Sequence, residues 1–532
     1  MSSFNYQSKN PNILKSSRDI TMSLGKMSFS KGITVSENLK IILGKTGVSL
    51  WKMYEVNLTI YCFPGLDTKV SKLKSCLRLL KNNLLEKKRF INIRLFGTNK
   101  NELKIPSNEY ILFLGFPDYL ANENFQFICD KITKDNIYNI LIIADKPTGP
   151  DWGNDLRLDI NNISCTYFRS REVAIRRLVH NKIKEMKLNV KRSELSKNFS
   201  AHILRALDFI RPKAEYVTPK YLALAEHLLY NNPPAAIVSL DVANPNSRAF
   251  TLMANILNIP VVQIQAGPIS QECIEWSFCE DDLMLSHGSK VEFELKELGF
   301  LGKTVIPVGS AKHENIRLNQ DSYNQTKDIW PTKEKLLKKN IRILFLTSYT
   351  DVFFTSETLK KQFLIYNEMY LSIISEISKF CEISLIIKPH PLEKAVHHKK
   401  FSLKYKNIFV VEPTENTLGL IKGADVVISF GSTASIDAVI ENKLVMIPQF
   451  PDFNLTPYFE KADYCLIPKN RLELSRIMSQ LVNGELASMV AELNESRERF
   501  LKSINYFNES PSRAIVEEIY HLIDRCRTQK IF

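Results

Sequence analysis

The sequence predicts an α/β protein with two doubly wound domains facing a central cleft. Three observations predict it. Short apolar runs alternate with helical patterns along most of the chain, as βαβ units require. At 532 residues, the chain is too long for one hydrophobic core. Finally, two apolar runs stop abruptly at polar turns: Ile386-Ile387-Lys388-Pro389-His390-Pro391, and Val426-Val427-Ile428-Ser429-Phe430-Gly431-Ser432-Thr433-Ala434-Ser435-Ile436-Asp437. In an open parallel sheet, ligands sit outside the carboxyl ends of the strands.

Residues 1–50 read as a polar N-terminal extension, partly disordered over its start. Residues 51–314 form the first domain. Glu55–Cys62 reads as a strand ending at Pro64-Gly65, followed by a helical stretch to Leu85 and a strand over Phe90–Leu95. Tyr110–Leu114 and Ile140–Ala144 are further strands. Ser170–Arg192 is a basic amphipathic helix, and helical pattern continues to Tyr230. Such a helix either lies on an anionic membrane or packs its apolar stripe on its own domain. Ala235–Leu240 is a strand, Ser247–Leu257 a helix and Pro260–Ile264 a strand; Leu283–Gly288 and Val305–Ser310 complete the set.

Residues 315–340 are polar and charged and read as the linker. The second domain spans 341–505. It opens with the strand Ile341–Leu346 and a long helix to Phe380, then the two segments above, then Leu444–Pro448. The C-terminal helix, 506–532, starts with Ser510 as N-cap and Pro511 at the first helical position.

Composition narrows the function classes. A hydrophobic fraction of 44% and a charged fraction of 24% are those of a globular protein. No apolar run approaches the roughly 20 residues a membrane helix needs, and the N-terminus lacks a signal-peptide pattern. The nine cysteines show no CxxC pair, which reads as reduced thiols. The expectation is a cytoplasmic protein. A net charge of +14 fits an acidic partner, and fits equally a coding sequence that favours Lys and Asn. No aromatic–basic motif supports nucleic acid.

The chemistry gathers at the strand ends. Two prolines around His390 remove amide donors, leaving the imidazole and the Lys388 ammonium to meet an anion. Gly431 permits close approach to backbone, and Ser432, Thr433 and Ser435 offer hydroxyls at a helix start. The bland reading of that cluster is capping. Asp437 either accepts from ribose hydroxyls or complements the helix dipole. Ser348 and Glu412 follow strands and are placed beside the phosphate and the base. In the first domain Asp241 follows a strand and precedes Asn244-Pro245-Asn246. It serves as base or nucleophile, or it caps the next helix. Asn244, Arg248 and Gln265 are assigned to the acceptor side. There is no P-loop, GxGxxG, HExxH, GxSxG or zinc spacing. The absence of a convincing DxD motif points to metal-independent chemistry without a cofactor.

On His390-Pro391 and Ser432-Thr433-Ala434-Ser435, the chain resembles the two-Rossmann (GT-B) glycosyltransferases of bacterial surface polysaccharide assembly. Its likeness is greatest to Kdo transferases, sialyltransferases and teichoic-acid-type polymerases that use cytidine-nucleotide donors. The resemblance implies that both motifs bind the donor phosphate. The chain departs from the sialyltransferases in lacking their acidic base motif, and has Gln265-Ala266-Gly267 where many relatives have Gln-His-Gly. The resulting expectation is a transferase moving a Kdo- or sialic-acid-like sugar from a CMP-linked donor to a glycan or lipid-linked acceptor of capsule or lipopolysaccharide. It would work at the inner face of the cytoplasmic membrane. Rival readings are a non-hydrolysing UDP-sugar 2-epimerase and a non-catalytic subunit of an assembly complex.

Overall fold

A computed structural model describes residues 11–28, 33–44, 46–62, 105–106, 109–116, 118–144, 156–159, 168–193, 195–269, 273–318, 341–347, 357–391, 393–430, 432–450, 462–504 and 509–531. The predicted strand over Phe90–Leu95 lies outside these residues, as do Ser348 and Gly431.

The chain opens with α1 (Pro11–Lys26), α2 (Val35–Asn38), a hairpin of β1 (Lys40–Leu43) and β2 (Thr46–Ser49), and α3 (Leu50–Asn57). One expectation needs correction here. Residues 1–10, the start of the polar extension, lie outside the described residues, and α1, which follows them, is fixed to the domain. The Trp51 indole donates to the Thr21 carbonyl at 3.3 Å, and the Thr59 and Thr21 hydroxyls meet at 2.8 Å. Glu55–Cys62, expected as a strand, is the end of α3 and a wider helical turn over Leu58–Cys62. A short, continuously apolar run has no period to separate a strand from a helix buried all round. Val56, Leu58 and Ile60 are all buried.

The first domain then follows the alternation read from sequence. β3 (Tyr110–Gly115), α4 (Asp118–Asp135), β4 (Asn139–Ala144) and β5 (Leu156–Asp159) come first. Three long helices follow: α5 (Arg169–Arg192), α6 (Lys197–Tyr216) and α7 (Thr218–Asn231). Then come β6 (Ala236–Ser239), α8 (Pro245–Ile256), β7 (Val261–Ile264), β8 (Leu283–Ser286), α9 (Lys290–Leu298), β9 (Thr304–Pro307) and α10 (Ala311–Leu318). Residues 315–318, assigned to the linker, thus close a helix whose Ile316 is buried. The seven strands are all parallel, in the order β5-β4-β3-β6-β7-β8-β9. Their direction of winding reverses between β3 and β6, and such a switch point opens a crevice at the carboxyl ends.

The basic helix α5 packs on its own domain. Ile175, Val179, Ile183, Met186 and Val190 join one core cluster with α6 and α7. Its apolar stripe is therefore covered, and its cations are partly paired: Arg171 with Glu226 at 2.5 Å and Arg176 with Glu172 at 3.1 Å.

The second domain comprises β10 (Ile341–Leu346), α11 (Glu357–Ile377), β11 (Ile383–Lys388), α12 (Val396–Lys404), β12 (Ile408–Val410), α13 (Thr417–Gly423), β13 (Val426–Ser429), α14 (Ala434–Ile440), β14 (Leu444–Met446), α15 (Arg471–Val482), α16 (Leu486–Glu492) and α17 (Asn494–Ser503). Its five strands are parallel, in the order β12-β11-β10-β13-β14, with the switch point between β10 and β13. The apolar faces of this sheet are covered by two helical layers. Two Rossmann-like domains are therefore present.

The tail crosses back. α18 (Pro511–Ile531) buries Ile515, Val516, Ile519 and Ile523 against Phe113, Phe125 and Ile128 of the first domain. Ser510, read as an N-cap, precedes the helix and its carbonyl accepts the Ala514 amide at 3.1 Å; its hydroxyl donates to Glu314 at 3.2 Å, and the same carboxylate accepts the Ser512 amide at 2.7 Å. Where the returning chain passes the first domain, Gly288 is obligatory: an added Cβ would lie 1.9 Å from the Ser503 carbonyl oxygen.

Candidate functional site

Register brings the two motifs to one sheet edge. Leu346, the last residue of β10, pairs with Lys388 on one side and Ser429 on the other. At roughly 4.8 Å between strands, the His390 and Ser/Thr turns leave the sheet about two strand widths apart. Thr347 sits between them.

The His390 turn is fixed through its backbone. The His390 amide donates to Thr347 Oγ1 at 3.1 Å and to Glu393 Oε2 at 2.9 Å. The Thr347 hydroxyl also donates to that carboxylate. Glu393 is itself buried, with His398 Nε2 at 3.7 Å and Tyr370 bonded to the far side of that ring at 2.6 Å. Lys388 is 3% exposed and donates to the carbonyls of Pro389 (3.3 Å) and Pro413 (3.0 Å). It ties two loops together and adds positive field from below. Burial pulls its pKa down to about 8, against the pull of Glu123, Glu415 and Glu393. Burial likewise lowers His390 to about 4, so its imidazole is neutral at pH 7. In the free protein His390 therefore offers a hydrogen bond and not a proton.

The second turn divides its hydroxyls. Ser435 is fully buried, its Oγ 2.5 Å from Ser429 Oγ, locking the turn to its strand. Ser432 Oγ accepts the Ala434 amide at 3.3 Å. Thr433, half-buried at the helix start, caps nothing with its side chain. Glu412 is 58% exposed and pairs with Lys399 at 3.0 Å.

The first domain presents its own carboxyl edge. Asp241 Oδ1 accepts the amides of Ala243 (2.7 Å) and Asn244 (3.2 Å), shaping the loop that enters α8. Asn244 is the N-cap of α8, accepting from Asn246 at 3.0 Å. Arg248 is buried and donates to the carbonyls of Lys52 (2.9 Å) and Phe278 (3.2 Å). Gln265 donates to Gly267 at 2.7 Å and accepts the His287 amide at 2.7 Å.

Of the residues that join the two edges, Asp437 was singled out from sequence, while Lys312, His313 and Glu123 were not. Lys312 Nζ on α10 lies 2.7 Å from Asp437 Oδ2 on α14 and 3.0 Å from Glu123 on α4. His313 Nε2 is 3.9 Å from Asp437 Oδ1, and its ring centroid lies 5.3 Å from that of His287, the planes tilted by 54°. Asp437 therefore faces the other domain, with 7% of its side chain exposed. A signal was present: Val308-Gly309-Ser310-Ala311-Lys312-His313 repeats the strand–Gly–Ser–helix grammar of the second turn.

His287 donates from Nε2 to the Gln265 carbonyl at 2.8 Å. Burial lowers both His287 and His313 to about 3. The sign follows from linkage. A histidine buried neutral stabilises fully above its ordinary pKa of about 6.5, and that stability is lost as pH falls through the folded value. For each such histidine the slope is about 1.4 kcal/mol per pH unit. Glu55, raised to about 7 by burial, works in the opposite direction, losing stability as pH rises from the ordinary glutamate range through 7. We therefore expect His313→Gln to flatten the loss of stability between pH 6 and pH 4 by about 1.4 kcal/mol per pH unit relative to wild type, read by urea unfolding. Parallel curves would refute the burial of His313 as a neutral group.

These sheet orders and facing carboxyl edges define a two-Rossmann architecture of GT-B type. Comparison with solved structures agrees. The S. aureus MnaA–UDP co-structure superposes with a TM-score of 0.50 at 14% identity, covering 78% of this chain and 97% of that one. The UDP-GlcNAc 2-epimerase of Neisseria meningitidis bound to UDP-GlcNAc gives 0.49 at 15%, covering 78% and 99%. The wall teichoic acid polymerase TagF gives 0.45 at 13%, covering 86% and 98%. At 14% identity the likeness to MnaA is one of fold. No protein-family model and no curated protein matches the chain.

Proposed function

We propose that this chain is a nucleotide-sugar glycosyltransferase. The observation that carries the proposal is one shared sheet edge. Thr347, His390 and Thr433 leave the second sheet side by side, and the Lys312–Asp437 pair holds the matching edge of the first sheet against them. A donor phosphate at the His390 turn would accept from the imidazole and the Thr433 hydroxyl, with buried Lys388 adding field beneath. Preorganised donors of this kind stabilise the charge that grows on a departing phosphate. The negative charge of the donor would in turn raise the His390 pKa, bringing proton transfer within reach. Asp241, at the carboxyl end of β6, is the carboxylate proposed as base or nucleophile for the acceptor. The finer reading, from the His390-Pro391 and Ser432–Ser435 motifs, is a CMP-linked acidic sugar passed to a surface glycan without a metal.

A second reading is the UDP-sugar 2-epimerase, a UDP-using enzyme, and the fold neighbour MnaA was solved with UDP.

A thermal-shift panel of CMP, CDP, UDP, GDP and ADP separates the readings. A ligand at a hundred times its Kd stabilises by about 2.7 kcal/mol. We expect the cytidine nucleotides to raise Tm most. A preference for UDP would transfer the proposal to the epimerase, and no shift with any nucleotide would end both.

A further inference from the structure

The outward face of α12 is built unlike that of an ordinary solvated helix. Its inward side is set by His398 and Phe401, both buried against Tyr370. With about 3.6 residues per turn, Val396 and Leu403 then fall at the centre of the opposite face. They are 65% and 88% exposed. Lys399 and Lys400 flank this aliphatic ridge on either side, and Lys404 lies beyond Lys400.

Charge reinforces the pattern. Residues 394–406 carry Lys394, Lys399, Lys400, Lys404 and Lys406, all exposed, and no acidic residue. The side chain of Glu393, just before them, is buried, and Glu412 pairs with Lys399. A solvated helix puts charge at its outermost ridge and gains nothing from leucine there. A nucleic-acid surface would use the lysines and leave the ridge unexplained. An anionic bilayer uses both: aliphatic side chains enter the headgroup boundary while flanking ammonium groups meet lipid phosphates.

We propose that α12 is the face by which this protein docks on an anionic lipid bilayer. The helix starts six residues after His390 in sequence, so docking would hold the His390 turn beside the membrane surface. The inference stands apart from the donor chemistry, because neither Val396 nor Leu403 belongs to the candidate site.

Cosedimentation of the full chain with phosphatidylcholine vesicles, with and without phosphatidylglycerol, tests it. Binding is expected only with phosphatidylglycerol and should weaken with salt. Val396→Glu combined with Leu403→Glu should lower partitioning at least about tenfold. Lys400→Ala and Lys404→Ala should each lower it about fivefold. All four positions are exposed, so an unchanged melting curve is the control for folding. The proposal is overturned if the wild type ignores phosphatidylglycerol or if the variants partition like wild type. It is also overturned if the variants lose binding to a single-stranded oligonucleotide while retaining vesicles. The donor panel is unaffected by any of these outcomes.

Discussion

Asp437→Ala should be the most damaging single change at the cleft. It removes the carboxylate that meets Lys312 at 2.7 Å, and Lys312 is only 18% exposed. Burial works against the Lys312 ammonium, and the fields of Asp437 and Glu123 overcome it, so its pKa stands above the ordinary lysine value. Taking one partner from a buried pair leaves a charge without compensation, at a typical cost of about 3–5 kcal/mol. Glu123 remains at 3.0 Å but is half exposed, so a loss of about 2–4 kcal/mol is expected here. The loss should appear in urea unfolding, together with expansion in small-angle scattering as the two edges part. Lys312→Met in the Asp437→Ala background should recover much of the stability, because it deletes the stranded charge. Unchanged stability in Asp437→Ala would show that the pair does not hold the domains together.

His390→Ala should lower turnover by about 10²–10³ with little change in stability, the usual cost of one preorganised donor. Stability is spared because the turn is held by the His390 amide, through Thr347 and Glu393, and the amide survives the substitution. The readout is product formed from a nucleotide-sugar donor, with unfolding measured in parallel. The neutral imidazole adds a pH signature. With a free-protein value near 4, and an anion that raises it, nucleotide affinity should strengthen as pH falls from that raised value toward 4. In His390→Ala this dependence should disappear. Full activity in the variant would remove His390 from the mechanism.

Much of the architecture is legible in the chain. Strands of a parallel sheet are buried on both faces and read as continuous apolar runs, which is why β3, β4, β6, β7, β10, β11 and β13 are recognisable. The same property misled at Glu55–Cys62, where a helix is buried all round. The site was legible in part. Lys388, His390 and the Ser/Thr turn lie at one edge because parallel strands align their carboxyl ends. Which hydroxyl faces outward was not legible. Ser435 and Thr433 differ only in their angle on the helix, and Ser435 turns inward to Ser429.

By itself, the sequence determined what local rules can carry: the strand–helix alternation, the polar turns that end strands, and the pairing of Pro389 and Pro391 around His390. Tertiary structure alone decided the partnerships between distant residues. Lys312 meets Asp437 across 125 positions, and the terminal helix returns to cover Phe113 and Phe125. Apolar periodicity reports how each segment faces a core. It holds no record of which other segment lies across the cleft, because that choice depends on packing energy summed over the whole chain.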